Sequence, residues 1–170
     1  TVARKMASLR SFYKYLVRRG VLEASPVSVI RTPRQDRKLP TCLEVDEVAA
    51  LLEAPDAGTF GGVRDRAILE TIYSAGLRIS ELTGLNIEDL DEFTAALRVR
   101  GKGRKERLVP LGSKAVEAIE TYLAQRRRLF GGGGRGALFV NKYGKRMSDR
   151  SIRRNLDKHL MTVGLDGKVT

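Results

Sequence analysis

The sequence predicts a mainly helical α+β protein with one small antiparallel β-hairpin. Three observations carry this prediction. Several stretches repeat apolar residues at three- and four-residue steps, the period of an amphipathic helix. One stretch instead alternates apolar and basic residues on either side of a two-glycine turn, the pattern of paired strands. Glycine, proline and helix-cap residues fall between these stretches, where the chain must reverse.

The chain opens inside a helix. Val2, Met6, Leu9, Tyr13 and Leu16 form its apolar stripe, Arg4, Lys5, Lys14 and Arg18 project elsewhere, and Gly20 is a suitable C-terminal stop. A lone helix cannot bury such a stripe, so it packs on the rest of this chain or is the last piece of an earlier domain; we read it as the second. Residues 31–40 are polar, basic and interrupted by Pro33 and Pro40, which marks a linker. The next helix starts near Glu44, with Asp46 and Glu47 in its first turn, a Leu43–Val48 staple, and Val48, Leu51 and Leu52 inward. A further helix spans 64–75, with Ile68, Leu69, Ile72 and Tyr73 inward and Gly76 closing it. Residues 96–100 and 105–109 form the hairpin around Gly101 and Gly103. Ser113 is expected to cap a long helix carrying Val116, Ile119, Tyr122 and Leu123, which the glycine run at 131–134 ends as a flexible loop. A short strand over 137–140 and a turn at Gly144 precede the last helix. Ser148 caps that helix, Ile152, Leu156, Leu160 and Val163 face inward, and Gly164 terminates it.

Composition narrows the function. The 170 residues are 42% apolar and 31% charged, the balance of a globular protein rather than a disordered one. No run is long and apolar enough for a membrane span, and the first ten residues lack the apolar core of a signal peptide. Cys42 is the only cysteine and His159 the only histidine, so neither an internal disulfide nor a thiolate–imidazole zinc site is expected, and a reducing, intracellular setting fits, which we place in the cytoplasm. The net charge is +12, far above what solubility requires and of the sign that attracts a phosphate backbone. It is unevenly placed. Residues 1–40 hold 10 basic and 2 acidic side chains, residues 41–100 hold 5 and 12, and residues 101–170 hold 17 and 6. Two basic flanks around an acidic centre predict surfaces that grip a polyanion from two sides; the alternative is solvated helix faces.

Two positions promise chemistry. Arg78 stands between the helix-ending Gly76 and a new helix, a corner that preorganises a guanidinium to hold two phosphate oxygens at any physiological pH. Taken alone, the position also suits an ion pair with Glu81. Lys102, between Gly101 and Gly103 at the hairpin tip, can approach a nucleic-acid backbone and either neutralise a phosphate or protonate an expelled alkoxide; alone, it also reads as a solvated tip. The Gly-Lys-Gly string lacks the pattern and setting of a P-loop.

Together, Gly76-Leu-Arg78-Ile-Ser-Glu81-Leu82 and Arg100-Gly-Lys102-Gly-Arg-Lys-Glu-Arg107-Leu-Val-Pro-Leu-Gly112 closely resemble the catalytic domain of Xer-type tyrosine recombinases. The resemblance covers nearly the whole chain. Residues 3–16 look like the last long helix of that family's helical, SAM-like core-binding domain, and 39–52 like the opening of its catalytic domain. It implies a remnant of the core-binding domain over 1–30, a linker over 31–40 and the N-terminal part of the catalytic domain over 41–170. Arg78 then matches the arginine that clamps the scissile phosphate, Lys102 the hairpin lysine that protonates the departing 5′ oxygen, and Glu81 the acidic residue that braces the arginine. The family cleaves and rejoins DNA through a covalent 3′-phosphotyrosine, which conserves bond energy, so no cofactor or metal is expected. It also implies duplex DNA as partner, tetramers of like or unlike recombinases on paired sites, chromosome-dimer resolution, a nucleoid-associated location and no membrane. Candidate DNA contacts are Arg4, Lys5, Arg104, Lys105, Lys145, Arg146, Arg150 and Arg153.

The family's His-x-x-Arg box, its later His or Trp and its tyrosine nucleophile have no match. Tyr13, Tyr15, Tyr73, Tyr122 and Tyr143 lack the nucleophile's context, Tyr73 and Tyr122 reading as core and Tyr143 as a turn residue, while His159 reads as a surface or core-edge residue. The expectation is therefore a fragment, inactive alone, of a site-specific recombinase. The alternatives are a noncatalytic DNA-binding protein of the same fold, and a type IB topoisomerase or phage-type integrase.

Overall fold

The computed structural model describes residues 2–31, 42–101, 105–131 and 136–168. It divides into two compact units, 1–40 and 41–170. The first holds α1, Val2–Arg18, none of whose residues is buried; Leu9, Phe12 and Tyr15 lie open. Gly20 ends it at φ +69°, and the Val21 N–H returns to the Leu16 carbonyl at 3.1 Å. Apart from Arg31, the expected linker lies outside the described residues.

The second unit contains α2 (Val45–Glu53), α3 (Phe60–Ala75), α4 (Ile79–Gly84), β1 (Leu90–Asp91), β2 (Ala96–Arg100), β3 (Glu106–Pro110), α5 (Ser113–Phe130) and α6 (Asp149–Thr162). The strands form one antiparallel sheet in the order β1-β2-β3. Val99 stands opposite Arg107, and Arg100 opposite Glu106. The main core gathers Val63, Ala67 and Ile68 of α3, Leu97 and Val99 of β2, Ile119, Tyr122 and Leu123 of α5, and Ile152 of α6. A smaller cluster joins Leu51 of α2 and Leu69 of α3 to Leu160 and Leu165. The mainly helical architecture with a small antiparallel sheet is the expected one, and no helix among the described residues is long and apolar enough to cross a membrane.

Several details differ from the sequence reading. Helix α3 starts four residues early, because the Thr59 hydroxyl caps it by accepting the Gly62 N–H at 3.1 Å. Two glycines in its first turn hid that start. Gly62 is required there: a Cβ would lie 1.9 Å from the Asp56 carbonyl oxygen. Tyr73 is 63% exposed rather than inward, since the buried arc of α3 centres on Ala67, Ile68 and Thr71 and leaves Tyr73 beyond its edge. Ser113 is the first residue of α5 and does not cap it; Gly112 holds the cap position, fixed by its N–H to Ser74 Oγ at 2.7 Å. Strand β3 starts at Glu106, and β1 joins the hairpin as a third strand. Residues 137–140 make two isolated bridges instead of a strand, Asn86 with Ala137 and Val140 with Arg146. Leu138, Phe139 and Val140 are all buried, so this segment is held as core, not by a ladder. The Tyr122 hydroxyl donates to the Leu138 carbonyl at 3.1 Å and accepts the Val140 N–H at 3.0 Å.

Candidate active site

Three elements bring the site together. Helix α3 ends on Gly76 in the left-handed region, φ +57°, which lets the chain turn at once into α4. Leu77 is buried in the core and fixes the corner, so Arg78 emerges beside it at the start of α4. Its side chain is 79% exposed. The hairpin supplies the opposite wall: Arg78, Ser80 and Glu81 together with Arg100 and Gly101 line an open basin.

Glu81 organises this corner. Its side chain is only 6% exposed, and four donors satisfy its two oxygens. The Arg78 N–H donates to Oε2 at 3.0 Å, and Arg78 Nη1 to Oε1 at 3.2 Å. Arg107 adds a two-pronged contact, Nη1 to Oε1 at 3.0 Å and Nη2 to Oε2 at 2.9 Å. The Arg107 fork is the largest influence on Glu81 and the Arg78 N–H the next; together they hold the carboxyl down at about 2, against an ordinary 4.5. The same pairing raises the Arg107 guanidinium above its ordinary value. Two guanidiniums around one carboxylate leave the cluster with a net positive charge.

Sequence reasoning missed Arg107 as part of this cluster. A partial signal existed: in the 106–110 strand, position 107 shares a face with the half-buried Val109 and stands opposite the buried Val99, which sets the Arg107 stem on the covered side of the hairpin within reach of an acid there. Arg100, on the other face, pairs with Glu106 at 2.9 Å and lies 3.7 Å from Asp89. The Gly101 N–H closes the hairpin on the Lys105 carbonyl at 2.8 Å. Lys102 and Arg104 lie outside the described residues.

The other predicted contacts are dispersed. Arg4 and Lys5 are exposed on α1, Lys105 on the hairpin, Lys145 in the 141–147 turn, and Arg150 and Arg153 on α6. Arg146 is committed within the protein: Nη1 donates to the carbonyls of Thr83 at 2.6 Å and Leu85 at 2.9 Å, and Nη2 to Asn86 Oδ1. It ties the turn to the end of α4. Tyr122 is fully buried and Tyr143 is exposed on the turn. His159 is buried and bonded to Asp65 Oδ2 at 3.2 Å, deeper than a core-edge residue. Among the described residues, no three His, Cys, Asp or Glu side chains are grouped to hold a metal ion.

A corner arginine braced by a buried acid, beside the 96–110 hairpin, is the arrangement the Xer-type resemblance implies. Comparison with known proteins bears on the family. A model of the phage integrase family matches residues 41–170. The chain belongs to that family. Tyrosine recombinase XerC of Myxococcus xanthus is 46% identical over 172 residues, covering 99% of this chain and 57% of that protein. XerC of Pelobacter propionicus is 49% identical over 160 residues, covering 94% and 52%. The chain thus spans a little over half the length of these relatives. Among solved structures, XerA recombinase superposes with a TM-score of 0.68 at 28% identity, covering 97% of this chain and 55% of that one. Lambda integrase bound to DNA shares the fold, with a TM-score of 0.70 at 16% identity and 96% and 56% coverage.

Proposed function

We propose that this chain supplies the phosphate-clamping half of the active site of a site-specific DNA recombinase of the chromosome-dimer-resolution type. The observation that carries the reading is Arg78: a guanidinium held at a rigid corner by a buried carboxylate, yet 79% exposed toward an open basin. In this reading a tyrosine oxygen forms a bond to the scissile phosphorus while the bond to the 5′ oxygen breaks. Arg78 donates to the nonbridging oxygens as their charge builds, and Lys102 gives the departing oxygen its proton. Glu81 orients Arg78 and does not touch DNA. Residues 1–30 are the end of a helical core-binding domain, 31–40 a linker and 41–170 the first part of the catalytic domain. Arg4, Lys5, Arg104, Lys105, Lys145, Arg150 and Arg153 meet the backbone of duplex DNA, four recombinases assemble on paired sites, and the protein works in the cytoplasm on the nucleoid. None of the five tyrosines is the nucleophile, and the chain alone does not cleave.

The XerC relatives and the Arg78–Glu81 geometry support this reading over a noncatalytic DNA-binding protein. The test is covalent trapping. Full-length protein carrying this chain, incubated with a nicked suicide duplex of its recombination site, is expected to yield a denaturation-resistant protein–DNA adduct. Tight binding without an adduct would establish the noncatalytic alternative.

A further inference from the structure

Arg107 has no role in the reading above, yet it makes the closest contacts in the cluster. Its fork meets both oxygens of Glu81, at 3.0 and 2.9 Å, whereas the Arg78 side chain reaches that carboxylate through one nitrogen at 3.2 Å. The two arginines also differ in setting. Arg107 is 43% exposed and sits on the covered side of the hairpin, opposite Val99; Arg78 is 79% exposed. A buried carboxylate attracts whichever guanidinium can reach it, and two-pronged pairing is the preferred geometry. With Arg107 removed, the nearest guanidinium able to take that geometry is Arg78.

We propose that Arg107 is a positioning residue that occupies Glu81, limits Arg78 to a single side-chain contact with it, and so leaves the rest of the Arg78 fork for a phosphate. Resting on the recombinase reading, this assigns Arg107 a place in the same site without contact to DNA. Glu81 then serves as a hinge post: it fixes the Arg78 backbone through the N–H at 3.0 Å while Arg107 neutralises its charge. Loss of Arg107 turns Glu81 from a brace into a trap.

The trap is testable because it depends on the charge of Glu81. In the full-length protein, the single-turnover rate of adduct formation on the nicked duplex is expected to fall roughly 10- to 100-fold in Arg107→Ala, the scale of one lost charged hydrogen-bonding partner. Duplex affinity and its salt dependence stay unchanged. Adding Glu81→Gln removes the trap, so the double variant Arg107→Ala/Glu81→Gln is faster than Arg107→Ala and matches Glu81→Gln alone. A residue that only stabilises the sheet would give no such rescue. Arg107→Lys, which keeps the charge and loses the fork, falls between, and it serves where the alanine variant does not fold. A wild-type rate in Arg107→Ala or Arg107→Lys, a double variant no faster than Arg107→Ala, or a reduced salt slope indicating a direct phosphate contact would each overturn the proposal. Arg78→Ala separates the two readings: if wild type forms adduct and Arg78→Ala does not, the recombinase reading stands whatever Arg107 does. A wild-type protein that binds duplex and forms no adduct overturns both.

Discussion

Two buried carboxylates in the second unit are each surrounded by several donors, but one set of donors is enclosed and the other opens outward. Asp65 on α3 accepts from Arg64 at 2.9 and 2.8 Å, from Asn155 at 3.1 Å to each oxygen, and is bonded to His159 at 3.2 Å. Arg64 also donates to the Val140 carbonyl at 3.4 Å. Every side chain in that set is covered or half-covered, and Arg64 is 10% exposed. The cluster ties α3 to α6 and offers nothing to solvent. Glu81 is as deeply buried, but one of its two arginines stands 79% exposed. A guanidinium–carboxylate pair is thus a structural tie where both partners are enclosed; where one arm opens outward, the guanidinium keeps donors for an outside anion, the role proposed above for Arg78.

Removing the enclosed carboxylate should be the most damaging change to folding. Asp65→Ala leaves Arg64 buried without its partner and is expected to lower stability by about 3 to 5 kcal/mol in chemical denaturation. If it unfolds at the wild-type denaturant midpoint, the Asp65 cluster does not bind α6. The matching change at the open cluster acts on chemistry instead. Arg78→Ala is expected to cost roughly 100- to 1,000-fold in adduct formation by the full-length protein, the scale of one lost transition-state donor, with the melting temperature and most of the duplex affinity retained. An equal loss of stability in both variants would erase the contrast.

Acid titration tests the open cluster further. Glu81 is held at about 2 in the folded protein against an ordinary 4.5, so its stabilising contribution is complete above pH 4.5 and is lost as pH falls toward 2. Glu81→Gln should therefore flatten the acid limb of the stability curve between those values, and an unchanged limb would refute the depressed carboxyl. The smallest effect belongs to the turn. Lys145→Ala should reduce the salt slope of duplex binding by about 0.9, as expected for one phosphate contact. Arg146→Ala should lower stability instead, because its guanidinium holds the carbonyls of Thr83 and Leu85. A slope untouched in Lys145→Ala would remove that residue from the DNA surface.

The helices, the hairpin and Arg78 were legible in the sequence because their signals are local. Periodicity spans one or two turns, Gly76 ends α3 next to the residue it exposes, and Ser148 caps α6 through its own third neighbour at 3.2 Å. The errors fell where a local signal was blurred or overruled. Gly61 and Gly62 masked the first turn of α3, and Gly112 took the cap expected of Ser113 because Ser74, 38 residues away, accepts its N–H. Tyr73 had the right spacing for the core but lay past the edge of a helix that buries two different sides.

By itself the sequence determined which segments are helical, where they stop, that a basic hairpin follows an acidic stretch, and that one arginine stands at a helix corner beside Glu81. Short-range sterics and capping decide these, and they involve residues within a turn of each other. Only the tertiary structure decided that Arg107 meets Glu81 across 26 residues and that His159 meets Asp65 across 94. It also decided that Arg146 is tied to carbonyls of the 83–85 segment and that Arg78 stays open. The reason is physical: which of many arginines a buried carboxylate captures depends on which one packing brings within about 3 Å of it, and no local pattern encodes that distance.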